Sequence, residues 1–143
     1  MTVIIVGVDG SATALRAAET ARSHALALQA RLHVVTAFDS DRTEVYGSGS
    51  DQTIASTADN AVQTARDVAK QLEAPGLAVT FSAARGKPAE ALIEEAERND
   101  AQMIVVGNLR MRGIGRVLGS VANSVAHNAP CDVLIVKTDE PLM

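Results

Sequence analysis

The sequence predicts an α/β fold, a three-layer α/β/α sandwich with helices on both faces of a five-stranded parallel sheet. Three observations lead there. Short apolar runs rich in β-branched residues recur along the chain, and several are continuous rather than alternating, the mark of strands buried on both faces. Segments with helical spacing separate them. Strands and helices alternate about five times, and parallel strands joined by helices must cross over right-handedly, which places helices on both faces.

The elements follow in order. Residues 3–8 are a continuous apolar run ended by Asp9-Gly10-Ser11, with Ser11 where an N-cap would stand. A helix of alanines and leucines follows, with Leu15, Ala18, Ala21, Ala25 and Leu28 near one face and His24 toward solvent. Residues 32–38 form the second strand, and His33 within it reads as structural. Residues 39–51 are polar, without periodicity, and read as the longest loop. Ile54, Ala58, Ala61, Ala65, Val68 and Leu72 recur at helical steps, and Pro75-Gly76 stops that helix. Residues 77–83 supply the third strand, and Pro88 suits the first turn of the next helix. That helix points Ala89, Leu92, Ile93 and Ala96 inward and Glu90, Glu94, Glu95, Glu97 and Arg98 outward, its acidic run reading as a solvated face. Residues 102–106 are the fourth strand and 133–136 the fifth, with a weakly helical run at 121–127 between them.

Bulk composition bounds the function. A chain of 143 residues suits one domain, 1–143, with one sizeable core. With 47% apolar and 21% charged residues it resembles an ordinary soluble globular protein. Phe38, Tyr46 and Phe81 are its only aromatics, too few for base-stacking platforms, and a pI near 5.3 argues against a wholly basic face for nucleic acid. Cys131 is the single cysteine, so no internal disulfide forms, which fits a reducing cytoplasm, and a buried filler is its expected role. The first residues lack the basic segment of a signal peptide, and no apolar run approaches a membrane span. A soluble cytoplasmic protein, without nucleic acid or membrane as partner, is expected. His24, His33 and His127 are scattered, so no metal cage of protein side chains is indicated.

The chemistry concentrates after the fourth strand. Residues 105–120 read as strand, glycine loop and helix N-terminus, with Gly107, Gly113, Gly115 and Gly119. Arg110, Arg112 and Arg116 lie there with no acidic residue, in a chain of net charge −4, and Ser120 adds a hydroxyl. Unpaired backbone N–H groups and the positive end of a helix dipole can meet an anion at such a place, so the stretch reads as a phosphate cradle. Two other readings stay open: the glycines as turn residues, and the arginines as solvated or as contacts for a partner. In doubly wound sheets ligands bind beyond the carboxyl ends of the strands where strand order reverses. Asp9 ends the first strand and Gly107 the fourth; as neighbours they would frame one cleft.

Several strings resemble the universal stress proteins: Val-Asp-Gly-Ser at 8–11, Gly86-Lys87-Pro88, Val105-Val106-Gly107-Asn108, Leu118-Gly119-Ser120-Val121, and Ala129-Pro130-Cys131-Asp132-Val133-Leu134-Ile135-Val136. The resemblance spans nearly the whole chain. It implies a Rossmann-like sheet of the adenine nucleotide alpha hydrolase type, strand order 3-2-1-4-5, and a homodimer through the last strand. It also implies a role in the stress response, with ATP, AMP or cyclic AMP as ligand and Mg²⁺ arriving with the phosphates. By resemblance Asp9 contacts the adenosine half, Gly7 and Val8 line the base pocket and Ala37 closes it. Val106 and Gly107 approach the ribose and phosphates, and Gly119, Ser120, Val121 and Ala122 cradle the phosphate chain. The nucleotide-binding pattern of the family is a glycine, two residues, a second glycine, nine residues, then Gly-Ser. Here Arg110 replaces the second glycine and only eight residues separate it from Gly119. An arginine loses the close backbone approach but brings a guanidinium that can hold phosphate oxygens.

Three functions follow. The first is an adenine-nucleotide sensor or reservoir, with at most slow ATP hydrolysis because no base is evident near the phosphates. The second is an interaction module of the same fold that binds no nucleotide. The third, a phosphoacceptor receiver, ranks last, because Asp9 stands alone after the first strand and Ser82-Ala83-Ala84-Arg85 ends the third.

Overall fold

A computed structural model describes residues 1–39, 43–46, 53–108 and 118–138, with 43–46 and 53–57 followed as backbone only. The chain runs β1 (Val3–Gly7), α1 (Ala12–Leu28), β2 (Arg31–Phe38), β3 (Thr43–Tyr46), β4 (Thr53–Ser56), α2 (Thr57–Gln71), β5 (Val79–Arg85), α3 (Pro88–Arg98), β6 (Met103–Asn108), α4 (Ser120–Asn128) and β7 (Asp132–Lys137). Five strands form one parallel sheet in the order β5-β2-β1-β6-β7. Counted along the chain within that sheet the order is 3-2-1-4-5, as the resemblance implies. Order reverses between β1 and β6, which pair directly with Ile5 opposite Ile104.

Side chains alternate across the sheet, so each continuous apolar run feeds two cores. Ile4, Val6, Leu32, Val34 and Val105 pack with Ala18, Ala21 and Ala25 of α1 and Ala65, Val68 and Leu72 of α2. Val3, Ile5, Val35, Ile104 and Val106 pack on the other face with Leu92 and Ala96 of α3 and Ala122 and Val125 of α4. Alanines dominate the buried stripe of α1, which lets that helix lie close to the sheet. Ser11 caps α1, its Oγ accepting from the Ala14 N–H at 3.1 Å, and Gln29 closes it in the left-handed conformation.

The structure corrects the sequence reading in four places. Leu28, the last residue of α1, is 54% exposed instead of facing the core. Ile54 belongs to β4, and α2 starts at Thr57. The presumed long loop contains β3, which pairs antiparallel with β4; the remainder of 39–51, apart from Asp39, lies outside the described residues. Glu95 is buried, 3% exposed, instead of facing solvent.

The last correction exposes a polar network under α3. The Ser82 Oγ donates to Glu95 Oε1 at 2.7 Å, His33 Nε2 lies 2.9 Å from the Ser82 Oγ, and His33 Nδ1 lies 2.6 Å from the Thr80 Oγ1. Asn99 and Arg98 donate to the second Glu95 oxygen at 3.4 and 3.2 Å. The hydroxyl proton of Ser82 is committed to Glu95. The imidazole Nε2 therefore carries the proton shared with Ser82, and Nδ1 accepts from Thr80. Burial lowers the His33 pKa, with the Arg31 charge helping and the Glu95 charge opposing. A histidine whose folded pKa lies below its unfolded value of about 6.5 binds protons more weakly in the native state. Its contribution is fully present above about pH 6.5 and declines as pH falls through the folded value. Thermal melts from pH 7.5 to 5 should show that decline, and His33→Asn should flatten it; an unchanged slope in the variant would refute the assignment.

Cys131 is half-buried against the second core, and burial, with the Asp132 charge, pushes its thiol pKa up. That is the state of a filler rather than a nucleophile.

Candidate functional site

The tips of β1 and β6 meet where strand order reverses, and helix N-termini gather around them. β1 hands over through Val8, whose N–H donates to the Val35 carbonyl at 2.9 Å. Gly10, at φ +88°, turns the chain in a conformation that disfavours a side chain. Across that turn the Asp9 Oδ1 accepts from the Ser11 N–H at 2.9 Å. Asp9 is thus both the turn residue and an exposed carboxylate at the strand tip.

β6 ends at Asn108, whose carbonyl accepts from the Thr138 N–H at 3.1 Å. Gly7 and Gly107 stand where a side chain would collide with its surroundings. A Cβ on Gly7 would lie 2.8 Å from Leu92 Cδ1, and one on Gly107 would lie 2.7 Å from Thr138 Cγ2 and 3.4 Å from Ala17 Cβ. The space a side chain would need at either position is already filled by these neighbours.

Beside these glycines lies a cleft of about 560 Å³, within the range of small-molecule sites. Of the residues expected from sequence, Gly7, Val8, Asp9, Ala37, Val106, Gly107, Gly119, Val121 and Ala122 all line it. Ser120 stands between two lining residues and is exposed, as the first residue of α4. Gly119, not Ser120, is the N-cap of α4. Arg110 and Arg116 lie outside the described residues. Sequence reasoning missed Ser11, Thr13, Leu92, Asn108 and Thr138, which also line the cleft.

The lining combines two kinds of surface. Val8, Val35, Ala37, Leu92 and Val106 offer apolar surface. Gly119, Val121 and Ala122 belong to the start of α4, whose first N–H groups have no acceptor within the helix and carry the positive end of its dipole. One of these donors is engaged: the Gly119 N–H donates to the Asn108 Oδ1 at 2.6 Å. Asp9 is the one ionisable residue among the described residues that line the cleft. Among the described residues no group of three His, Cys, Asp or Glu could hold a metal, and no helix is long and apolar enough to cross a membrane.

The profile of the universal stress protein family matches residues 1–137. The chain belongs to the universal stress protein family. A universal stress protein of Methanocaldococcus jannaschii is 34% identical over 137 residues, covering 94% of this chain and 81% of its own. One from Mycobacterium tuberculosis is 32% identical over 147 residues, covering 94% and 95%. Among solved structures, a universal stress protein in complex with cAMP is 33% identical, with a TM-score of 0.70 and coverage of 96% and 97%. Family membership accounts for the strand order.

Proposed function

We propose that this universal stress protein binds an adenine nucleotide between the tips of β1 and β6, as a sensor or reservoir in the stress response. One observation carries the reading: one cleft sets apolar side chains beside the first turn of α4, whose N–H groups after Gly119 have no acceptor within the helix, a lining that suits a base and a phosphate together. The related structure that holds cAMP supports the choice of an adenine nucleotide. Asp9 faces the adenosine half, Ala37 closes the base side, and Ser120 adds its hydroxyl beside the phosphates. Arg110 and Arg116 supply positive charge from the loop between β6 and α4. ATP, AMP and cyclic AMP are the candidate ligands, and Mg²⁺ would come with the phosphates and water rather than with a protein cage.

Hydrolysis, if ATP binds, is slow. Among the described residues the one ionisable group lining the cleft, Asp9, already accepts a backbone hydrogen bond. We further propose a cytoplasmic, single-domain protein that pairs through β7. That strand lies at a sheet edge with its apolar side chains only half-buried, and an edge of this kind is covered by a second copy.

A ligand that binds only the folded state raises stability, by about 2.7 kcal/mol at a hundred times its Kd. The melting temperature should therefore rise by roughly 8 °C with saturating nucleotide. Melting unchanged by millimolar ATP, AMP and cyclic AMP would replace this reading with that of an interaction module.

A further inference from the structure

We propose that Asn108 is a positioning residue for the phosphate: it fixes the start of α4 from outside the helix and so leaves the first-turn N–H groups to the ligand. The proposal rests on the binding reading above.

Helices α1, α3 and α4 all begin at the cleft, which Ser11, Thr13, Pro88, Gly119 and Val121 line. A helix start is commonly fixed by the side chain of its own N-cap residue, which takes one of the first-turn N–H groups. α1 is built this way, with the Ser11 Oγ accepting from the Ala14 N–H at 3.1 Å. The Asp9 carboxylate stands just before it, accepting from the Ser11 N–H at 2.9 Å, and opposes a second anion there. α3 opens with Pro88, which has no N–H to offer.

α4 differs from both. Its N-cap is Gly119, and no side-chain cap bond is made. The first bond of the helix runs from the Asn123 N–H to the Gly119 carbonyl at 2.9 Å. The N–H groups of Ser120, Val121 and Ala122 therefore have no acceptor within the helix.

Asn108 supplies the fixation that Gly119 cannot. Its main chain belongs to the sheet, opposite Lys137 of β7, with its carbonyl accepting from the Thr138 N–H at 3.1 Å. Its side chain is buried, and the Oδ1 accepts from the Gly119 N–H at 2.6 Å. That donor lies one position ahead of the three first-turn groups, so the bond uses none of them. A local cap would tie α4 down by taking a donor that a phosphate needs. Asn108 ties the same turn to the tip of β6 and keeps those donors pointing into a prepared place.

Calorimetry with AMP and with adenosine, which lacks the phosphate, tests this on the full chain and two variants. Asn108→Ala should weaken AMP about tenfold and leave adenosine within twofold. Adding Gly119→Ser to that variant gives α4 a cap of its own. The melting temperature should then recover in part, while AMP stays weak, because the new hydroxyl takes a first-turn N–H. Should Asn108→Ala alone fail to fold, the ratio of AMP to adenosine affinity is read on the double variant. Equal loss of AMP and adenosine, AMP affinity untouched by Asn108→Ala, or AMP affinity returning together with stability in the double variant would overturn the role of Asn108 while nucleotide binding stands. A wild type that holds neither AMP nor adenosine would remove the binding reading, and this one with it.

Discussion

Replacing Val121 with aspartate should abolish adenylate binding, weakening it about 100-fold, while leaving the fold in place. Val121 is the second residue of α4, half-buried and lining the cleft. A carboxylate in the first turn interacts favourably with the helix dipole, by about 0.3–1 kcal/mol, which offsets part of the packing lost with the valine. The same carboxylate takes the N–H groups that a phosphate would use and repels its charge. The expected 100-fold loss corresponds to about 2.7 kcal/mol, and titration calorimetry reads it. Val121→Asn, which keeps the polarity without the charge, should lose far less. Equal losses in both variants would mean that anion binding at α4 is not what holds the ligand.

The second large effect concerns stability. Glu95→Ala should cost about 3 kcal/mol, because it leaves the Ser82 hydroxyl without its acceptor and opens a cavity under α3. Replacing His33, Ser82 and Glu95 together by Leu, Ala and Leu should cost clearly less than the sum of the single losses. A buried polar set is expensive to break at one member, yet a well-packed apolar set of similar volume removes the desolvation cost for all of them. Denaturant unfolding of the single, paired and triple variants measures the coupling. Additive losses would show that the three side chains do not act as one network.

That network also shows where sequence reading stops. Strands β1, β2, β6 and β7 were legible because their apolar runs are short, β-branched and bounded by turn residues. The cleft was legible because glycines and a helix start follow β6. Glu95 was misread by its chemistry: it lies among glutamates, and charge suggested solvent. Its spacing said otherwise, since it falls four residues after Ala91 and three after Leu92, both buried on the same helical face. What no pattern could show was the pair of hydroxyls at alternate positions of β5, Thr80 and Ser82, facing His33 from the neighbouring strand.

Asn108 was missed for a related reason. It belongs to the string Val105-Val106-Gly107-Asn108 that ends β6, but its partner lies eleven residues on, a distance that only the folded chain closes. Thr138 follows β7 with no apolar neighbour to mark it, yet it is 1% exposed, held by its N–H to Asn108 and by its carbonyl to Arg16 at 3.2 Å. The strands β3 and β4, four residues each, are too short for periodicity to separate from loop. For Ile54 the helical steps ran on by chance into β4, and the count alone could not place the start of α2.

Equilibrium dialysis of the wild-type protein against labelled AMP, cyclic AMP and ATP tests the central claim most directly. The account predicts saturable retention of one nucleotide per chain, competed by the other adenine nucleotides and lost in Val121→Asp. No retention of any of the three at millimolar concentration would contradict it.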